Sequence, residues 1–358
     1  MFMIFVNNGA GGEIFSTLQH SKWNGMTPCD LVFPFFIFIM GVSTYLSLKK
    51  TQFKWSKALV WKILKRTVLL FLIGLFINWF DLACSGNPFD FAHLRIMGVM
   101  QRLGLCYGAT ALLAMAAASL SKKFNSLPVI IVAILVVYGA LLLTLGGYDY
   151  DATTNFLAIA DRNILGPDHL YHKSPVDPEG LVSTLSAISQ TLIGFYIAYL
   201  AFGPKRSLKE KILVFLTAGA ILTLLGYLLS FGLPLNKRIW SPSYVLVTCG
   251  FASLLLGLFT LAIDRQGTTA PAPEASGRTP HWQVSFLIFG SNPLLLYVVS
   301  ELLAIIFGYT AINMAIYDVL HGVITSGYWA SVAYAALFVA FHALIGYPLW
   351  KRHIYIKI

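Results

Sequence analysis

Residues 31–48 read LVFPFFIFIMGVSTYLSL, an uncharged run followed at once by Lys49 and Lys50. Coiled as a helix at about 1.5 Å per residue, such a run is long enough to cross a hydrocarbon core of roughly 30 Å. Comparable runs recur along the chain at Leu59–Phe80, Met97–Leu120, Leu127–Leu145, Leu181–Phe202, Ile212–Phe231, Tyr244–Ile263, Val284–Phe307 and Tyr328–Trp350. Barrel strands would instead be short and alternate polar with apolar residues, so the helical solution is the one that fits. The predicted fold class is therefore an all-α integral membrane protein of about nine full transmembrane helices. Met1–Val6 is an N-terminal stub, and a full-length chain is expected to have about ten helices, the first beginning upstream of Met1.

Composition agrees. Of the 358 residues, 57% are hydrophobic and only 11% charged, where a soluble domain carries about a quarter charged. Residues 1–358 are read as one polytopic domain. The net charge of +10 does not indicate nucleic acid, because no basic stripe with interleaved aromatics accompanies it. The cations fall in short loops: Lys49–Lys57, Lys122/Lys123, Lys205–Lys211 and the Lys351–Lys357 tail. The positive-inside rule makes that face cytoplasmic. Residues 264–282, rich in Thr, Ala, Pro and Gly, read as a flexible cytoplasmic linker. The opposite, outer face receives Asn7–Asp30 and the acidic loop 146–180, in which six carboxylates stand against Arg162 and Lys173. Arg95 and Asn236–Arg238 are basic exceptions on that face, either mild violations of the rule or cations retained to bind something. Cys29, Cys84, Cys106 and Cys249 form no CxxC pair and read as small hydrophobes.

Four clusters carry polar chemistry. In VNNGAGGEIFSTLQHSKWNGMTPCDLVFPFF (6–36), a histidine, asparagines and an acid sit together before a helix. Asp30 would suit the positive end of that helix, and this loop-plus-cap reading is the bland one. The chemical reading gives His20 a proton-transfer role, Asn7 an amide for an oxyanion, and Asp30 the task of fixing the imidazole tautomer. In RIMGVMQR (95–102), Arg102 lies within apolar sequence, where an arginine pairs internally or binds an anion such as phosphate. The acidic loop offers Asp161, His169, His172, Asp177 and Glu179, whose chemistry suits an amine or a sugar; the DHLYH spacing is too sparse for a metal site, and no metal is expected. Gly290–Pro293 places Ser291 and Asn292 inside an apolar run, ahead of Glu301, a rare intramembrane acid.

The segment HSKWNGMTPCDLVFPFFIFIMGVS resembles the heparan-α-glucosaminide N-acetyltransferase family and its bacterial relatives. The resemblance extends through RIMGVMQRLGLCY, DRNILGPDHLY, DPEGLVSTLSAI, WSPSYVLVTCG and FGSNPLLLYVVSELL, in order and over nearly the whole chain. The family's S-L-D-x-x-R-G stretch ahead of the V-N motif is missing. The resemblance implies a transmembrane acyltransferase that moves an acetyl group from cytoplasmic acetyl-CoA to the amine of an amino sugar on the outer side. It implies His20 as catalytic base or acetyl carrier, with Asn7 and Asp30 in support. Arg95, Gln101 and Arg102, together with Ser291 and Asn292, are assigned to acetyl-CoA. Trp23, Asn24, Asp161, His169, Asp177 and Glu179 are assigned to the sugar. The expected location is a bacterial cytoplasmic (inner) membrane, with the lipid bilayer as surroundings and a homodimer as one candidate assembly. Two rival activities fit the same spans: a sugar or amino-sugar permease, and an O-acetyltransferase acting on a cell-envelope glycan.

Overall fold

The computed structural model describes residues 1–120, 124–144, 150–171, 176–204, 206–267 and 281–356. Among these the chain is helical, in the order α1 Phe2–Asn7, α2 Val32–Lys50, α3 Lys57–Cys84, α4 Val99–Leu120, α5 Ser126–Thr144 and α6 Phe156–Leu165. It continues with α7 Ser183–Ala201, α8 Leu208–Leu229, α9 Pro242–Gly267, α10 His281–Ser291, α11 Pro293–Tyr309, α12 Ile312–Val323 and α13 Gly327–Lys351. Among the described residues eight helices are long and apolar enough to cross a membrane, or nine if the bent pair α10–α11 makes one span. Their outward faces are apolar and exposed, as with Val68, Leu72 and Phe76 on α3 and Ile221, Leu224 and Leu228 on α8. Water would penalise such faces and lipid would not. The protein is a multi-pass α-helical membrane protein.

The centre of the bundle is α7, the most buried of the spans, even though it carries Ser186, Ser189, Gln190 and Thr191. Those groups are paired across helices. Gln190 donates to the carbonyl of Pro34 (3.0 Å) and accepts from the indole of Trp240 (2.9 Å), while Ser186 donates to the Trp240 carbonyl (2.7 Å). Inside a membrane a polar side chain must find a partner in the protein, so these bonds fix α2, α7 and the start of α9 relative to one another. Close backbone approach does the rest. A methyl group on Gly41 would lie 2.0 Å from the Thr191 carbonyl, and one on Gly194 2.2 Å from the Phe38 carbonyl. Only glycine lets α2 and α7 meet at that distance.

Two sequence expectations are corrected. The stretch Val284–Phe307 is not one straight span: α10 and α11 meet at an 81° bend. Pro293 has no N–H for the helix ladder and keeps Asn292 out of helical geometry, with φ −136° and ψ 58°. Residues 146–180 are not simply an irregular loop, because they contain α6, whose buried face includes Leu157, Ala158 and Asp161. The short helix α12 was not anticipated; at 12 residues it falls below the length of a span. Residues 264–267 continue α9 and 281–282 belong to α10, while the centre of the expected linker, 268–280, lies outside the described residues.

The polar loops gather at one end of the bundle. Gly25 donates to the Leu235 carbonyl (2.8 Å), the Trp23 indole to the Tyr150 carbonyl (2.5 Å), and Ile96 to the His169 carbonyl (3.1 Å). At the opposite, lysine-rich end, Lys49 donates to the Phe202 carbonyl (2.7 Å), joining the ends of α2 and α7.

Candidate active site

The segment between α1 and α2 closes on Asp30. Thr27–Asp30 forms a capping box at the turn Pro28–Leu31 that leads into α2. Asp30 is fully buried. Its Oδ2 accepts from the backbone amides of Ser21 and Thr27 (both 3.1 Å), and its Oδ1 faces Nδ1 of His20 at 2.7 Å. Its carbonyl accepts from the Tyr244 hydroxyl of α9 (2.5 Å). The cap and the chemical role anticipated for Asp30 are therefore one arrangement: the amides that secure the helix start also fix the carboxylate beneath the imidazole. With the carboxylate at Nδ1, that nitrogen carries the proton, and Nε2 is left as the basic atom.

His20 is the accessible member of the cluster, with its side chain 47% exposed. Lys237, from the loop between α8 and α9, brings its ammonium to 3.0 Å from Nδ1 and 3.3 Å from Nε2 of His20, and to 3.5 Å from Asp30 Oδ1. The thiol of Cys29 lies 3.2 Å from Nδ1, but at 2% exposure it is closed off from any substrate that reaches His20. Asn24 accepts from the Asn236 amide (3.1 Å). Asn236 in turn caps the amides of Arg238 (2.9 Å) and Ile239 (3.2 Å), which holds Lys237 in a tight loop. Sequence reasoning singled out Asn236–Arg238 as out of place on this face; the structure shows what Lys237 meets there.

The remaining expected site residues are placed differently. Asn7 ends α1 with its side chain toward Glu301 of α11, and among the described residues no hydrogen bond joins it to His20. Arg95 makes a two-pronged bond to Asp177 (2.6 and 3.0 Å), a third to Glu179 (2.8 Å), and lies over the Tyr171 ring at 4.7 Å. Burial works against its charge, but the two carboxylates more than compensate and hold it further into its charged range. Arg95 thus answers two acids that were expected to bind sugar, and all three are occupied with each other. The bonds to these carboxylates come from Nε and Nη2 of Arg95.

Arg102 is fully buried, donating to the Gly180 carbonyl (3.0 Å) and to Ser183 Oγ, with its guanidinium 4.8 Å from the Trp240 ring. Gln101 donates to the Ile96 carbonyl (2.9 Å) and packs on Gly74 of α3. Gln101 is thus engaged within the bundle, whereas Nε and Nη1 of Arg102 are buried without a hydrogen-bond partner. Asp161 accepts from the Val182 amide (3.1 Å) at the start of α7. Burial pushes its carboxyl up to about 6, against the pull of the Val182 amide and the Arg102 charge. His169 is held by the Leu94 carbonyl (2.8 Å), and His172 lies outside the described residues. Ser291 bonds its own helix at the Ile288 carbonyl (2.9 Å). Asn292 has both amide atoms committed to the C-terminal tail, donating to the Ile354 carbonyl and accepting from the Ile356 amide (both 2.8 Å). Trp23 and Asn24 serve the docking of loops described above. Among the described residues no three His, Cys, Asp or Glu side chains gather as a metal site.

An accessible imidazole backed by a buried carboxylate is the arrangement to set against known proteins. No family model matches the chain. It is 31% identical over 356 residues to the human (Homo sapiens) heparan-α-glucosaminide N-acetyltransferase, covering 84% of this chain and 51% of that protein. It is 30% identical over 358 residues to the Mus musculus protein of the same name, covering 85% and 52%. The chain belongs to the heparan-α-glucosaminide N-acetyltransferase family. It spans about half the length of the curated relatives it matches.

Proposed function

We propose that this chain is a transmembrane acetyltransferase that passes an acetyl group from acetyl-CoA to the amine of an amino sugar, with His20 as the base. The observation that carries this reading is the exposed His20 imidazole with its Nδ1 held by buried Asp30. Such a pair takes a proton at Nε2 without losing its orientation. An amine acceptor needs that service, because its protonated form has no lone pair to offer. The name of the relatives supports acetyl transfer to a glucosaminide nitrogen. By the loop charges, the acceptor is met on the outer side of a cell membrane, with acetyl-CoA on the cytoplasmic side.

The cations for the CoA phosphates are to be sought at the lysine-rich end, on Lys49–Lys57, where the loop charges put acetyl-CoA. A hydroxyl acceptor on an envelope glycan would use the same base, so the acceptor is settled by comparing glucosamine with N-acetylglucosamine: acetylation of glucosamine alone supports N-transfer. The decisive experiment is acetyl transfer from acetyl-CoA by the purified protein in detergent. The wild type is expected to turn over and His20→Ala to lose about 10³-fold or more in kcat. Transport without acetyl transfer, or an active His20→Ala protein, sinks the proposal in favour of a permease or another base. Single turnover without acceptor separates direct transfer from an acetyl-histidine route: label retained on the wild type and absent from His20→Ala marks the covalent path.

A further inference from the structure

Lys237 is buried, 8% exposed, in a loop whose Asn236, Ile239, Trp240 and Ser241 are buried as well. Burying an ammonium is costly unless its protons find acceptors. Among the described residues its hydrogen-bond and ion-pair partners are His20 and Asp30, and these cannot use all three protons. Nδ1 of His20 is committed as a donor to Asp30, so it has no lone pair for the lysine. Asp30 is the more distant neighbour, at 3.5 Å, and already accepts from Ser21, Thr27 and His20. Were Lys237 only the counter-ion of Asp30, its ammonium would settle on the carboxylate. It lies closer to the imidazole instead, 3.0 Å from Nδ1 and 3.3 Å from Nε2.

We infer that Lys237 is a catalytic residue whose ammonium stabilises the oxyanion of the acetyl group as it is transferred. This rests on the reading of His20 as the base or acetyl carrier. An acetyl carbon attacked by Nε2 places its oxygen about two bond lengths away, roughly 2.4 Å, and within reach of a donor that is itself 3.3 Å from Nε2. If the amine attacks directly, the carbon lies one hydrogen bond further out, still beside the same ammonium. In the direct route the amine nitrogen bonds the carbonyl carbon, and the carbonyl pair moves onto oxygen, facing Lys237. His20 takes the amine proton. The oxygen pair then returns, the carbon–sulfur bond breaks, and the CoA thiolate recovers the proton from His20. Lys237 keeps its protons throughout and supplies fixed charge where negative charge develops.

The Asn236 turn explains why the ammonium is ready before substrate arrives. The Asn236 side chain caps the two following amides and bonds Asn24. The amide of Trp240 also closes on the Lys237 carbonyl (3.1 Å), so the lysine backbone is held from both sides. Fixed donors of this kind need no reorganisation during reaction, which is where their catalytic value comes from.

The test is steady-state acetyl transfer by Lys237→Met and Lys237→Gln, each checked by size exclusion and thermal melting, beside His20→Ala. An interaction made only in the transition state lowers kcat and leaves KM unchanged. The expected result is a folded variant with kcat reduced about 10²-fold to 10³-fold and KM for acetyl-CoA changed less than about threefold. A folded variant with kcat near wild type overturns the inference, as does a loss confined to KM. Failure of both variants to fold assigns Lys237 a structural role and overturns it too. If His20→Ala is itself active, the underlying reading has failed; if it is inactive while Lys237→Met turns over normally, only the role of Lys237 has failed.

Discussion

The polar end of the bundle holds two charged clusters that read alike in sequence and differ in kind. Around Arg95, a guanidinium is closed by Asp177 and Glu179 and covered by Tyr171. Around His20, a buried carboxylate and a buried ammonium surround an imidazole that remains 47% exposed. In the first cluster Nε and Nη2 of the guanidinium are held by carboxylates, and the arrangement ties the 95–97 segment to the loop before α7. In the second, an accessible atom is held by inaccessible partners, which is what proton transfer to a substrate requires. Charge density alone does not mark a site. The distinction lies in whether a reactive atom is left over once the partners are counted.

The comparison breaks most forcefully at Asp177. Its carboxylate is buried and takes the two-pronged bond from Arg95, along with the amides of Tyr171 (3.0 Å) and Glu179 (2.9 Å). Asp177→Ala would leave a largely buried guanidinium with Glu179 alone. A loss of about 3–5 kcal/mol in stability is expected, read as a lower melting temperature in detergent. Acetyl transfer per folded molecule should stay within about twofold of wild type. An unchanged melting curve together with a changed KM for acetyl-CoA would place Arg95 at the phosphate site and erase the contrast between the clusters.

The sequence made the membrane fold legible, because span length and loop charge are properties of composition and spacing. It also brought forward His20 and Asp30, which lie ten residues apart in one quoted motif and do meet. Pairing across the fold was not legible. Arg95 finds its acids 82 and 84 residues away, so cation and acids were assigned to two separate ligands instead of to each other. Lys237 approaches His20 across 217 residues; the only sequence signal was its presence on the face where cations are scarce. Asn7 lies on the same quoted stretch as His20, but as the last residue of α1 it is directed to Glu301. The break at Asn292–Pro293 had a local signal in the proline, which the apolar run around it obscured.

A smaller effect is expected at Asp161. Its Oδ2 is buried without a partner and leaves no room for a side chain on Gly180. Its carboxyl is raised from 3.8 to about 6, so the folded state favours the protonated form. The stability it contributes is full below the unfolded value and is lost as pH rises through about 6. Asp161→Asn imitates the protonated form. Its melting temperature should therefore gain on the wild type between about pH 4 and pH 7, by the equivalent of roughly 2 kcal/mol. A constant difference across that range would show that Asp161 is ionised throughout and paired with Arg102, making it part of a closed cluster like that of Arg95.

The smallest effect tests the edge of the open cluster. Asn24 is exposed and accepts a single hydrogen bond, from Asn236. Asn24→Ala removes that bond while the caps of Asn236 on Arg238 and Ile239 remain, so the stability cost should be about 1 kcal/mol or less. The same bond also sets the His20 segment against the loop of Lys237, and catalysis is more sensitive to position than stability is. A several-fold fall in kcat, on the order of five, with a nearly unchanged melting curve is expected. The closed cluster should show the reverse pattern, large in stability and small in rate. If Asn24→Ala instead lowers stability and rate in proportion, the open cluster is held by the general packing of the loops, and the alignment of His20 with Lys237 does not depend on this contact.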